Sequence, residues 1–168
     1  MSGPRFLLGA ALVLTAVLLE TTTVTRLPLP GVAPDLVLVL VVAFAFVEGP
    51  LSGMASGFCA GLLADLLAYH QLGRLALAYC AVGYLTGMAQ DDTERSTFAP
   101  FLAVGLGAVA GLVIYAAEGF LLGDARVTIA AVGRGLLSAV PYDVVLTPFV
   151  VPLVATLVRR VEQDAVRR

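Results

Sequence analysis

The sequence predicts an all-α membrane protein, a bundle of about six transmembrane helices in one domain (residues 1–168) with no soluble part. Three observations predict it. Mean hydropathy is +0.97, far above that of soluble globular chains. Hydrophobic residues make up 60% of the chain and charged residues only 13%, and the apolar runs leave connections of a few residues between them. The breaks between runs carry the Pro, Gly and charged residues that end helices.

The first apolar run, residues 6–25, lies between Arg5 and Arg26, and its twenty residues reach ~30 Å at ~1.5 Å per residue, the thickness of a bilayer core. Its length, the lack of an A-x-A cleavage site and the hydrophobic segments behind it predict a retained span and not a signal peptide. Residues 26–34 hold three prolines and a glycine, a short ordered loop, and Asp35 is placed to cap the next helix. That helix, residues 35–47, reaches only ~20 Å, too short to cross a bilayer upright, so it either packs inside the bundle or thins the membrane. Glu48-Gly49-Pro50 turns the chain into a third span, residues 51–69, completing a helical hairpin.

A polar break from His70 to Arg74 precedes the fourth span, residues 75–89. The most polar loop follows at 90–97, with Asp91, Asp92, Glu94 and Arg95, and then the fifth span at 98–122. Residues 127–140 carry Arg134 in an otherwise apolar pattern and read as an interfacial segment. The last span, 142–158, holds Pro148 and Pro152 and is expected to be kinked. Six spans put both termini on one side, and the arginines then divide six to four (Arg5, Arg95, Arg159, Arg160, Arg167, Arg168 against Arg26, Arg74, Arg126, Arg134), which favours the cytoplasm for the termini.

A net charge of −2 and the absence of lysine leave no basic field for nucleic acid. Cys59 and Cys80 lie inside apolar runs without neighbouring His, and read as inert buried thiols. No G-x-S-x-G, H-E-x-x-H or glycine-rich phosphate loop occurs, so neither an enzyme nor a cofactor is expected. His70 stands alone in a loop and reads as a solvated side chain.

Gly53, Gly57 and Gly61 fall four apart on one face of the third span, and Gly83/Gly87 and Gly107/Gly111 repeat the spacing. Such faces serve close packing within the bundle, or a homodimer or partner helix. Glu20, Asp65, Glu118 and Asp143 lie within or at the edge of apolar spans, where an unpaired charge costs roughly 3 kcal/mol on insertion scales. With six spans, all four fall towards the outer face, the side of Arg26, Arg74, Arg126 and Arg134. They read as ion pairs with those arginines, as a polar pocket open to the outside for a ligand or a partner's segment, or as a proton or ion relay.

Pro34-Asp35, Gly49, Gly53-x-x-x-Gly57-Phe58-x-x-Gly61-Leu62-x-x-Asp65-Leu66, Leu72-Gly73-Arg74-x-x-Leu77 and Gly83-Tyr84 follow one another in an order and spacing that resemble the MreD family of rod shape-determining membrane proteins. Tyr142-Asp143, with proline in the span behind it, is similar to the end of that family. The resemblance implies a non-enzymatic subunit of the bacterial inner membrane, part of the rod complex that supports peptidoglycan synthesis and cell shape. It implies an MreC-like single-span partner and, through it, MreB and the peptidoglycan synthases. The family also looks related to the substrate-binding membrane subunits of energy-coupling-factor vitamin transporters, six-helix proteins with an outward pocket, and such a subunit is the alternative function. Carried over onto this chain, Gly61, Asp65, Leu72, Gly73 and Arg74 are the motif residues expected to fix the hairpin and the MreC contact. Asp65 is expected to accept hydrogen bonds from the Gly73-Arg74 region or to pair with Arg74. Glu20 and Glu118 lie outside the pattern and are singled out by burial alone.

Overall fold

In the computed structural model the described residues are 3–22, 28, 30–67, 72–90 and 98–166. They form the helices α1 (Gly3–Thr22), α2 (Leu36–Glu48), α3 (Pro50–Leu67), α4 (Arg74–Met88), α5 (Ala99–Leu121) and α6 (Ile129–Val166). His70, Arg26, Arg95 and loop 91–97 lie outside the described residues.

Helix α2 is the axis of the bundle. Its thirteen residues are Leu, Val, Ala and Phe on every side, up to a terminal Glu48, and a helix without a polar face has no reason to lie at a surface. Val37 to Ala45 are all buried, and each of the other helices packs against α2. The short helix therefore sits inside the bundle. At its end Gly49, at φ 87°, donates its N–H to the Ala45 carbonyl at 2.9 Å. This left-handed turn, which glycine adopts without steric cost, sends the chain straight into α3, where Pro50 takes the first helical position.

Helices α3 and α4 are the most intimate pair, because glycines remove the side chains between them. A Cβ on Gly57 would overlap the Tyr79 carbonyl, one on Gly61 the backbone at Leu75-Ala76, and one on Gly53 both Ala45 of α2 and the Gly83 carbonyl. Gly83 and Gly87 answer from α4, against the backbone of Gly53 and of Gly49-Pro50. The glycine face of α3 is thus closed by the chain's own α4. Gly107 and Gly111 of α5 make room in the same way for Val42 and Leu38 of α2.

The C-terminal third differs from the sequence expectation. No break separates residues 129–140 from 142–158; Ile129 to Val166 is one uninterrupted helix with Pro141, Pro148 and Pro152 inside it. A proline removes one N–H and frees the carbonyl four residues back, which breaks helices in water. Among apolar neighbours the remaining backbone groups have no partner except the helix itself, so the helix carries on. Its first turns stand beside the loop before α2: Val32 N–H donates to Ser138 Oγ at 2.8 Å, and the Tyr142 hydroxyl donates to the Pro30 carbonyl at 3.2 Å.

Among the described residues, Pro50–Leu67, Ala99–Leu121 and Ile129–Val161 are long and apolar enough to cross a membrane unaided, while Leu8–Thr22 and Leu36–Glu48 are shorter apolar helices. Leu51, Phe58, Leu66, Leu106 and Phe149 point outward, as side chains in contact with lipid do.

Candidate functional site

The first N–H groups of a helix have no partner within it, and inside a membrane no water supplies one. Four carboxylates solve this problem at one end of the bundle. Asp35 caps α2 as its position in sequence suggests, accepting from Leu38 N–H at 2.8 Å. Glu20, at the end of α1, accepts from Val37 N–H at 2.9 Å, and Asp143 of α6 accepts from Asp35 N–H at 2.7 Å. Tyr79 of α4 donates its hydroxyl to the second Asp35 oxygen at 2.6 Å. Three acids from three parts of the chain thus gather where the dipole of α2 favours negative charge.

Asp65, only 1% exposed, performs the same task for α4. It accepts from Gly73 N–H at 2.9 Å, Leu75 N–H at 3.1 Å and Ala76 N–H at 3.4 Å. Gly73 stands at φ 100°, a backbone conformation that only glycine holds without strain. The turn it makes sends Arg74 inward and leaves Leu72 outside.

The Arg74 guanidinium is buried against α5 and the turn behind it. Nη1 donates to Asp124 at 2.7 Å, Nη2 donates to the Tyr115 carbonyl at 3.2 Å, and the Tyr115 ring centre lies 4.1 Å from the guanidinium carbon. Gly119 keeps this channel open, since a Cβ there would strike Nη2 and Val127. The Asp124 carboxylate is held below its ordinary value of 3.8, first by the Arg126 N–H at 3.0 Å and then by the Arg74 guanidinium.

Among the described residues these contacts differ from the ion-pair reading of the buried acids, and Arg26 lies outside those residues. Glu20, Asp65 and Asp143 meet backbone N–H groups, and Arg74 pairs with Asp124, a loop residue. Exposed Arg134 approaches none of them in a described ion pair. Glu118 is the exception among these four acids: both its carboxylate oxygens are buried and have no hydrogen-bond partner among the described residues. Tyr79, Tyr115 and Asp124 escaped the sequence reading. A signal existed for Asp124, because an Asp two residues before its backbone partner is an Asx turn. Tyr79 and Tyr115 carry none beyond a hydroxyl inside an apolar run.

Between the two polar clusters lies a cavity of about 290 Å³. Glu20, Asp35, Asp143, Tyr79 and Tyr115 supply its polar lining, and Leu38, Leu75, Leu112 and Val140 much of its apolar wall. Among the described residues no three His, Cys, Asp or Glu side chains are grouped to hold a metal ion. The family model of the rod shape-determining protein MreD matches residues 3–161, nearly the whole chain. The chain belongs to the MreD family. It is therefore a rod shape-determining membrane protein, of a family of structural proteins. Neither a curated protein nor a solved structure matches it, and the likeness to energy-coupling-factor subunits and the transporter alternative gain no support. In this MreD chain the motif residues Gly61, Asp65, Gly73 and Arg74 all tie α4 to its neighbours, and Asp143 ties α6 to α2.

Proposed function

We propose that this MreD chain is a non-enzymatic inner-membrane scaffold of the rod complex, which crosses the bilayer six times and holds an MreC-like single-span protein. Through that partner it supports MreB-directed peptidoglycan synthesis. The observation that carries the reading is the use made of the buried carboxylates: Asp35, Asp65, Glu20 and Asp143 are bound to the N–H groups of the first turns of α2 and α4 and of their capping residues Asp35 and Gly73. Groups held in this way fix a shape, and the oxygens of Glu20, Asp35 and Asp143 that bind these N–H groups are engaged even where the residues line the cavity. The glycine face of α3 is closed by α4, so the partner helix meets the bundle on one of its outward apolar faces.

The test is depletion of the chain in a rod-shaped host whose wall growth needs the complex, combined with copurification from solubilised membranes. Rounded cells, and recovery of a single-span MreC-type protein with the tagged chain, are the expected results. Unchanged shape on depletion, or a tagged chain that rescues shape without that protein bound, would overturn the assignment.

A further inference from the structure

A second opening lies on the flank of the bundle and shares no lining residue with the cavity. It is a groove of about 400 Å³ between α4 and the end of α5, lined by Leu72, Gly73, Arg74, Leu77, Glu118, Leu121 and Leu122. Its four leucines are all exposed, Leu121 most of all at 87%. Arg74 and Glu118 are its charged residues, and each has unused hydrogen-bonding capacity. The Nε of Arg74 is buried without a partner, while its Nη atoms are taken by Asp124 and Tyr115. The two oxygens of Glu118 are likewise buried without a partner. Glu118 lies three residues after Tyr115, hence on the helix face over which the guanidinium stacks. Among the described residues there is thus, beneath the apolar groove, one guanidinium N–H without an acceptor and, beside it, one carboxylate without a donor.

In a membrane such atoms are costly to leave unpaired. The complementary ligand carries an anionic acceptor and a cationic donor a few bonds apart, followed by apolar chains for the leucine walls. We propose that this groove is a headgroup site for an amine-bearing phospholipid of the phosphoethanolamine class. Turning of the Glu118 side chain into the groove uncovers Arg74 Nε, from which the phosphate then accepts, and presents the carboxylate to the ammonium as its acceptor. The site lies beside the Gly73 turn and the last turn of α5, at the end of the apolar segments, where headgroups reside. A choline headgroup has the same charges but no N–H to offer, and a glycerol headgroup lacks the cation.

The test uses the full chain in detergent, with lipid retention read by native mass spectrometry against phosphatidylethanolamine, phosphatidylcholine and phosphatidylglycerol of identical acyl chains. Wild type is expected to retain the ethanolamine lipid about tenfold better than either other, as a charge-assisted hydrogen bond implies. Glu118→Gln, the same in shape, is expected to erase the preference. Leu121→Trp fills the groove without touching the polar pair and is expected to cut retention of all three lipids. Helical content is checked by circular dichroism for each variant. Equal retention of the three headgroups by wild type, or a preference that survives Glu118→Gln, overturns the proposal. Displacement by soluble glycerophosphoethanolamine at the concentration at which the lipid itself competes would overturn the assignment to a lipid.

Discussion

A single carboxylate can serve three donors, and Asp65 does so by accepting from Gly73, Leu75 and Ala76. Asp65→Ala leaves buried N–H groups without an acceptor, and each costs on the order of 1–3 kcal/mol. A loss of about 3 kcal/mol is expected in an unfolding titration in mixed micelles, and Asp65→Asn, which keeps one acceptor oxygen, should lose less. Equal losses for the two variants would show that the charge, not the accepting geometry, is what α4 needs. Asp124 bears a different dependence. Its carboxyl is depressed below 3.8 in the folded chain, so its contribution is complete above the unfolded value and disappears as pH falls through the lower, folded one. Asp124→Asn should therefore melt below wild type at pH 7, and the gap should close at a pH below 3.8. A gap independent of pH would assign the effect to packing in the α5–α6 turn.

Helix against helix, the bundle is organised by what has been removed. Gly57→Ala adds one methyl group directly against the Tyr79 carbonyl, and since backbone cannot rotate away as a side chain can, α3 and α4 must separate. Overpacking of this kind costs about 1–3 kcal/mol, read as a lower melting temperature in detergent. Gly133→Ala is the contrast, because a Cβ there meets nothing within 4 Å, and it should be neutral or mildly stabilising through helix propensity. Elements of this kind were legible beforehand. The glycine spacing of α3, the Gly49-Pro50 turn and the all-apolar α2 are local patterns, and their consequences are local too. The partners of the acids were not legible, for a physical reason: Glu20 caps a helix start 17 positions later and Asp143 reaches back 108. A cap is recognised in sequence only when its acceptor sits within one turn of the donor, as Asp35 does. The single helix through Pro141 was hidden for the opposite reason, since proline's local rule holds in water and weakens where the backbone has no alternative partner.

For the whole molecule, the bonds between Glu20 and Val37, Asp65 and Gly73, and Arg74 and Asp124 join the end of one helix to the start of the next or of a neighbour. All lie at one end of the bundle, which therefore carries the ends of α1, α3 and α5 and the starts of α2, α4 and α6. Among the described residues the six helices alternate in direction, so the last one finishes at the end of the bundle where the first one starts. Helix α2 has thirteen residues and α4 fifteen, lengths of ~20 Å and ~22 Å at 1.5 Å per residue, so six crossings require these two to be sheltered by longer neighbours. Helices α3, α5 and α6 supply that shelter. The topology is open to direct measurement. Arg126 in the α5–α6 turn is 81% exposed at its side chain, and Arg126→Cys in a Cys59→Ser, Cys80→Ser background should react with a membrane-impermeant maleimide added to intact spheroplasts. A cysteine appended to either terminus should react only after the membrane is opened. Labelling of Arg126→Cys and of the C-terminus from the same side would leave an even number of crossings between them and rule out α6 as a transmembrane helix.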